Sequence, residues 1–326
     1  MNYELLDKLV VLVVTLGIIF NLVTIYLVVR QGFRQIDMWL AMVMTGCDVL
    51  VVAYKIMETV YVVISKKNPM DDNKFGQWHG ALITFLLQMS AACVGYLALL
   101  RFWVIFLRRR INTRWWCAGF LLPQLLVFLS LVVAAKKEKL TLKENKRFYY
   151  PDLFEKDAWV VACRVILMLS HLMTVLAVNA CYPCIAWRYV FDLRHFQGIG
   201  FRSRVEVRAL QMQKVKVLAK ILAMVLTYNV VMMPLLVLLI AEISTRKQFS
   251  STLDDVVVLT MCSITAVNPL MLLVLHHETW RELKSTASRI KNKLFPPALD
   301  ANKQSFLLHN SSEVALTAIK PTSNSP

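Results

Sequence analysis

Apolar residues in this chain occur in long runs, and polar residues collect in the gaps between the runs. A helix that crosses the hydrocarbon core of a bilayer needs about 20 apolar residues. The chain holds seven runs of that length, so the pattern predicts seven transmembrane helices. Their predicted bounds are residues 9–30, 38–64, 80–107, 115–135, 158–190, 214–242 and 254–277.

The composition supports a helical membrane protein. Hydrophobic residues make up 57% of the 326 positions and charged residues only 18%, and the mean hydropathy is +0.54. A soluble core of this length needs less apolar material. Because the apolar residues do not alternate with polar ones, as they do in transmembrane barrel strands, the predicted fold class is all-α, a seven-helix bundle.

The segments at the two ends differ from the predicted bundle at residues 9–277. Residues 1–8 form a short stretch expected outside the cell. Residues 278–295 place apolar residues among basic ones, which predicts a short amphipathic helix on the membrane surface, with a merely solvated juxtamembrane tail as the alternative. Residues 296–326 follow a pair of prolines and are rich in Ser, Asn and Thr, which predicts a disordered cytoplasmic tail.

The net charge of +16 reflects membrane topology, because the 37 Lys and Arg fall almost entirely between the apolar runs. Near helix ends, the gaps after helices 1, 3 and 5 and the start of the tail hold 18 of these residues, against 13 on the opposite side. Cytoplasmic loops carry the excess of basic residues. We therefore expect an external N-terminus, a cytoplasmic C-terminus, a plasma-membrane location and no nucleic-acid partner.

Four small oxygen-bearing side chains lie at similar depth inside the predicted helices. A charged side chain at the middle of a bilayer costs a few kcal/mol, so Asp48, near the middle of predicted helix 2, is a functional candidate. Asn21, Ser90 and Asn268 share its depth. Oxygen ligands suit a hard cation such as sodium. The same four groups are equally suited to a hydrogen-bonded network that only fixes helix packing.

A second set of polar residues lies toward the outer, extracellular side of predicted helices 2, 3 and 5. Together these residues predict a pocket that presents both signs of charge to a polar extracellular ligand, or alternatively internal ion pairs and snorkelling side chains. The predicted pocket residues are Tyr54, Lys55, Glu58, Gln88, Arg164 and His171.

The order of these landmarks resembles that of rhodopsin-like (class A) G-protein-coupled receptors, over residues 9 to about 288. The residues that carry the resemblance are Asn21 in GIIFN, Asp48, Ser90 eleven residues before Arg101, Tyr228, Pro234 and the pair Asn268-Pro269.

The resemblance implies roles for these residues. Asp48, Ser90 and Asn268 would bind a sodium ion and rearrange on activation. Arg101 would link helices 3 and 6 at rest and meet a heterotrimeric G protein when active, with Tyr228, Pro234 and Pro269 as parts of the switch. The chain is then expected to be a receptor and not an enzyme, with no cofactor other than the candidate sodium ion.

The chain departs from the family pattern at four places. Leu100 and Phe102 flank Arg101 where an acidic residue and a tyrosine are usual. Met232 stands at the usual tryptophan of helix 6, and Leu272 at the last position of the helix 7 motif. The cysteine expected at the start of helix 3 is absent, and residues 136–157 contain no cysteine to pair with it.

Other functional classes fit less well. A retinal protein needs a Schiff-base lysine in helix 7, and residues 253–277 contain none, with Cys262 at the corresponding position. The sequence shows neither the internal repeats of a transporter nor the clustered ligands of a membrane hydrolase. A scaffold that has lost signalling, or a small-solute transporter, is the alternative to a receptor.

Overall fold

The computed structural model describes residues 3–31, 36–66, 69–109, 112–142, 149–151, 156–198, 204–245 and 251–275, with residues 284, 285 and 288. About 93% of these residues are helical. Backbone contacts divide the chain into two compact units, Met1–Trp280 and Arg281–Pro326. Every element below belongs to the first unit. Apart from the three isolated positions, the predicted helix 278–295 and tail 296–326 lie outside the described residues.

The predicted count of seven membrane-spanning helices is confirmed, because seven helices of the described chain are long and apolar enough to cross a bilayer. The helices are α1 (Tyr3–Gln31), α2 (Ile36–Ser65), α3 (Asn73–Arg101), α4 (Thr113–Lys136), α5 (Ala158–Gly198), α6 (Arg204–Thr245) and α7 (Ser251–Leu275). A 3₁₀ turn (Pro69–Asp71) precedes α3, and a π-helical turn (Phe102–Phe106) continues it.

The surface of the bundle suits a lipid environment. Large apolar side chains are exposed on every spanning helix, including Leu22, Val63, Leu122, Met173 and Val230. Burial of apolar area would not favour such a surface in water, whereas lipid tails solvate it. The polar residues that lie at membrane depth are mostly turned inward and buried.

The third helix is the centre of the bundle, because α3 packs against α2, α4, α5 and α7 and is the most buried of the seven spans. Its small residues permit close packing. A Cβ atom placed on Gly95 would lie 2.9 Å from Cγ2 of Thr174, so α3 and α5 are in contact there. Any larger residue at this position would push the two helices apart.

Helix bounds differ from the predicted ones where polar signals outweigh the apolar run. The third helix starts seven residues before the predicted residue 80, because the Asp72 side chain caps it by accepting from the backbone N–H groups of Lys74 and Phe75. The 41 residues of α5 and 42 residues of α6 exceed the predicted spans. At 1.5 Å per residue each is roughly 60 Å long, about twice the hydrocarbon thickness.

Two short strands, β1 (Leu140–Leu142) and β2 (Tyr149–Pro151), form an antiparallel hairpin between α4 and α5, which the apolar pattern did not predict. Leu140 pairs with Pro151 and Leu142 with Tyr149. The hairpin packs against α3, and Tyr149 and Tyr150 are buried. We call this end of the bundle the hairpin end, and the opposite end the Arg101 end.

Candidate functional site

The centre of the bundle contains a chain of hydrogen bonds through three helices. The Ser90 hydroxyl of α3 donates to Oδ1 of Asp48 in α2 over 2.7 Å. The side-chain amide of Asn268 in α7 donates to Ser90 Oγ over 2.7 Å. All three side chains are at most 3% exposed. We call Asp48, Ser90 and Asn268 the polar junction. They are three of the four side chains that the sequence predicted at similar depth in the membrane.

The fourth predicted member, Asn21 in α1, makes a different contact. Its side-chain amide donates to the backbone carbonyls of Gly17 and Thr265, over 2.8 and 2.9 Å. The hydrogen bonds of Asn21 therefore join α1 to α7 directly and do not run to Asp48. A Cβ on Gly17 would lie 3.1 Å from Thr265 Oγ1, which shows how closely the two helices pack.

The polar junction has the chemistry to hold a small cation. Asp48 is fully buried, and its Oδ2 atom has no hydrogen-bond partner among the described residues. An unpaired carboxylate oxygen is costly in a low-dielectric interior. A monovalent cation at Oδ2 would offset that cost, with Ser90 and Asn268 as neighbouring oxygen-bearing groups. The residues therefore fit the sodium ion that the family resemblance implies. Among described residues no group of three His, Cys, Asp or Glu side chains suits another metal.

Arg101, to which the family resemblance assigns G-protein contact, lies against α5. Arg101 lies at the end of α3, half-buried, and its Nη1 donates to the Tyr182 hydroxyl over 3.2 Å. Tyr182 is buried and precedes Pro183 inside α5. The resemblance implied a link from Arg101 to helix 6 at rest. The hydrogen bond of this structure joins α3 to α5 instead.

A pair of amides links α5 to α6. The side chains of Asn179 and Asn229 exchange two hydrogen bonds, 2.9 and 2.8 Å long, and each also donates to the carbonyl four residues earlier in its own helix. Pro234 follows five residues after Asn229 and removes a backbone donor from α6. The predicted switch residue Tyr228 is buried next to this pair, and its hydroxyl has no hydrogen-bond partner among the described residues.

The predicted ligand-pocket residues divide into separate places. Gln88 of α3 and His171 of α5 meet, since His171 Nδ1 lies 2.9 Å from Gln88 Oε1, and Gln88 also donates to Ser170 over 2.8 Å. They line a central cavity of about 20 Å³ that Tyr150 of the hairpin also borders. Lys55 lines a second central cavity of about 30 Å³ with Tyr149. Each has room for little more than one water molecule.

The other predicted pocket residues lie elsewhere. Tyr54 and Glu58 line a larger outer cavity of about 710 Å³ between α2, the 3₁₀ turn and the start of α3. Lys55 forms an ion pair of 2.7 Å with Glu58, three residues further along the same helix, which is the kind of internal ion pair that the sequence offered as the alternative to a ligand pocket. Arg164 of α5 is half-buried and borders none of these three cavities. The six predicted pocket residues therefore border three different cavities or none of the three in this structure.

The hairpin fills the space above the central cavities because one side chain of α3 binds its backbone. Gln77 donates through Nε2 to the Leu140 carbonyl over 2.6 Å and accepts at Oε1 from the Leu140 N–H over 2.9 Å. Gln77 is 2% exposed. Both backbone groups of Leu140 are thus satisfied by one residue, which fixes β1 on α3.

Tyr149 completes this attachment from β2. Its ring packs against Gly76, and its Cβ and backbone carbonyl pack against Gly80, so a Cβ atom on either glycine would collide with Tyr149. Its hydroxyl donates to the Met70 carbonyl over 3.2 Å. Burial, with the nearby carboxylates of Asp71 and Asp72, raises the pKa of Tyr149 above its usual value, so the hydroxyl keeps its proton. We call Gln77, Tyr149 and the two glycines the hairpin clasp.

These observations define an α-helical membrane protein that crosses the bilayer several times and carries a buried polar junction. A scan against protein-family models finds no match for this chain, and a search of curated proteins finds none either. The assignment of a function therefore depends on the residues of the site.

The apolar pattern did not reveal several contacts of the site. The sequence signals for the Asn179–Asn229 pair were two amides inside apolar runs, since isolated polar residues in spanning helices usually bond across helices. No sequence pattern indicates the roles of Gln77 and the two glycines of the clasp, because these roles depend on where the hairpin lies. No pattern indicates His79 either, although it is 1% exposed and lies between Tyr54 and Phe75.

Proposed function

We propose that this chain is a G-protein-coupled receptor that senses an extracellular ligand and activates a heterotrimeric G protein. The observation that carries the proposal is the polar junction of Asp48, Ser90 and Asn268, with Arg101 three helical turns further along the same helix as Ser90. This arrangement matches the family landmarks in type, order and depth.

The packing of the bundle supplies a route for the signal. Ligand binding at the hairpin end must favour one arrangement of the helices over another. The polar junction joins α2, α3 and α7, and Pro269 follows Asn268 directly, so a shift of α7 changes the hydrogen bonds of Ser90. A sodium ion at Asp48 would stabilise one arrangement of α2, α3 and α7 through its positive charge. A change in this arrangement would then shift Arg101, which lies on the same helix as Ser90.

The sixth helix supplies the moving part. It extends well beyond the membrane, and Pro234 gives it a place to bend. The Asn179–Asn229 pair holds α6 to α5 near that bend. Outward movement of the α6 segment at the Arg101 end would open a cavity for a G-protein helix beside Arg101. We propose that this end faces the cytoplasm and that the N-terminus lies outside the plasma membrane, which the bias of basic residues supports.

Nucleotide exchange on purified G proteins tests this proposal. The full chain is placed in nanodiscs with a panel of G proteins, beside Arg101→Ala and the matched control Arg114→Ala. Arg114 is an exposed arginine at the start of α4, on the same end of the bundle. We expect exchange that Arg101→Ala lowers by about tenfold or more and Arg114→Ala leaves within about twofold.

A result without exchange on any G protein, across a ligand screen, would contradict the receptor assignment and favour the scaffold or transporter. Equal loss in the two arginine variants would show that general positive charge, and not the position of Arg101, supports exchange. Thermal unfolding of each variant checks that the bundle is intact.

A further inference from the structure

The outer cavity differs in charge from the rest of the protein. Its described lining contains three carboxylates and no lysine or arginine, although the chain carries a net charge of +16. Three aromatic rings share the lining with the carboxylates. The residues that carry the argument are Tyr54, Glu58, Tyr61, Asp71, Asp72 and Phe75.

The aromatic rings are accessible to a ligand. Tyr61 is 48% and Phe75 40% exposed, and Tyr54 is partly exposed. An organic cation above such rings is attracted by the negative face of each ring. Its apolar groups gain further from leaving water. The volume of about 710 Å³ lies within the usual range for small-molecule pockets.

The carboxylates retain capacity for a cation. Among the described residues, Glu58 contacts Lys55 through Oε2 and not through Oε1, and Asp72 caps α3 through Oδ1 and not through Oδ2. Asp71 is exposed in the 3₁₀ turn. The surrounding rings would exclude part of the water between a ligand cation and these carboxylates. Because water screens charges, the attraction would then be stronger than at an open surface.

A buried histidine behind the cavity wall is a second, independent observation. His79 is 1% exposed, and neither of its ring nitrogens has a hydrogen-bond partner among the described residues. Its ring lies 5.0 Å from that of Tyr54 and 5.7 Å from that of Phe75, both cavity residues. Its Nε2 points toward Glu58, 3.7 Å from Oε2. His79 thus places a ring nitrogen within ion-pair distance, but beyond hydrogen-bond distance, of the carboxylate that a cation would contact.

We infer that the outer cavity binds an organic cation, an amine or quaternary ammonium with a small apolar body. The inference rests on the proposed function for its meaning, because it names the ligand class that the receptor would sense. Two sources carry this chemistry, a free amine from outside the cell and the choline headgroup of a phospholipid. The central cavities are too small for either while the hairpin occupies its place.

Binding of phenyltrimethylammonium to the purified full chain tests the inference without a G protein. Nanodiscs of a neutral glycolipid without choline are compared with nanodiscs of phosphatidylcholine. The variants are Asp71→Asn and Tyr61→Leu, both at exposed positions. The control is Asp157→Asn, which removes the same charge from the start of α5 and keeps a side-chain oxygen to cap Trp159. The uncharged isostere tert-butylbenzene serves as competitor.

We expect saturable binding that each cavity variant weakens by about tenfold and the control leaves unchanged. Equal binding in both lipids identifies a free cation as ligand, and binding that phosphatidylcholine suppresses identifies the lipid headgroup. Absence of saturable binding, equal loss in the control, or equal competition by tert-butylbenzene overturns the inference. Binding without nucleotide exchange would retain this site and contradict the receptor. Nucleotide exchange without binding would retain the receptor and contradict this site.

Discussion

Gln77 of α3 binds Leu140 of β1 through both ends of its side-chain amide, with hydrogen bonds of 2.6 and 2.9 Å. This contact spans 63 positions of sequence and determines where the hairpin lies on the bundle. Because both partners are buried, water cannot replace either bond. The position of Tyr149 and Tyr150 above the central cavities follows from it.

Replacement of Gln77 by leucine should therefore release the hairpin. Two buried backbone groups would lose their partners, which costs about 2–4 kcal/mol. We expect a lower free energy of unfolding and faster hydrogen exchange at residues 140–142 and 149–151. The matched control is Gln124→Leu, because Gln124 is buried in α4 and its Oε1 has no hydrogen-bond partner among the described residues. Slower or unchanged exchange in Gln77→Leu would contradict the clasp.

A pair of glycine substitutions tests the fit of Tyr149 separately. A Cβ atom on Gly80 would lie 2.5 Å from Cβ of Tyr149, whereas one on Gly46 of α2 would meet nothing within 4 Å. Gly80→Ala should lower stability by about 1–3 kcal/mol through overpacking. Gly46→Ala should leave it unchanged or raise it by up to about 1 kcal/mol. Thermal unfolding of both variants decides the matter, and similar shifts would argue against a tight contact.

Tyr182→Phe should lower G-protein activation, if the proposed function holds. The variant removes the hydroxyl that accepts from Arg101 and keeps the ring in place. Loss of one hydrogen bond to a charged group is worth about 1.5–3 kcal/mol, so we expect at least about a tenfold fall in nucleotide exchange. Tyr189→Phe, seven residues further along α5, is the control. Unchanged exchange in Tyr182→Phe would show that this bond does not position Arg101.

The Asn179–Asn229 pair should show a measurable coupling energy. Asn179→Leu, Asn229→Leu and the double variant form a thermodynamic cycle. Hydrogen bonds between spanning helices contribute about 0.6 kcal/mol on average and up to about 1.7 kcal/mol, and two bonds should bring the coupling to about 1 kcal/mol or more. Thr227→Val with Asn179→Leu is the control cycle, since the Thr227 hydroxyl donates to the Ala223 carbonyl of its own helix and to no other group of the described chain. Additive effects in the test cycle would contradict the pair.

Sodium should stabilise the bundle through Asp48. An ion that binds only the folded state raises its stability. We expect the unfolding temperature to rise by about 2 °C or more when sodium chloride replaces potassium chloride at equal ionic strength. Asp48→Asn should abolish the difference, and Asp157→Asn should retain it. A sodium effect of equal size in Asp48→Asn would place the ion elsewhere.

The sequence was sufficient for the features that depend on chemistry along one helix. Seven runs of about 20 apolar residues predict seven spans, because the bilayer sets the required length. Asp48, Ser90 and Asn268 could be grouped because depth in a straight helix follows directly from position. The i, i+3 pair of Lys55 and Glu58 followed from the same geometry.

Features that depend on rotation or on chain reversal were out of reach. Asn21 shares the depth of Asp48 but donates to Thr265, because the rotation of α1 against α7 decides its partner. Gln88 and Glu58 both lie in the same half of the bundle, yet they border different cavities. The attachment of Leu140 to Gln77 required the chain after α4 to fold back, and no period in that polar segment indicates it.

The hairpin clasp has a consequence for biogenesis. Residues 136–157 contain no cysteine, so no disulfide bond within this segment holds the hairpin, and the contacts of the clasp between described residues are hydrogen bonds and ring packing. Its formation needs neither an oxidising compartment nor thiol exchange, and reductants should leave it intact. Opening is then governed by local unfolding, which heat and denaturant accelerate but glutathione does not.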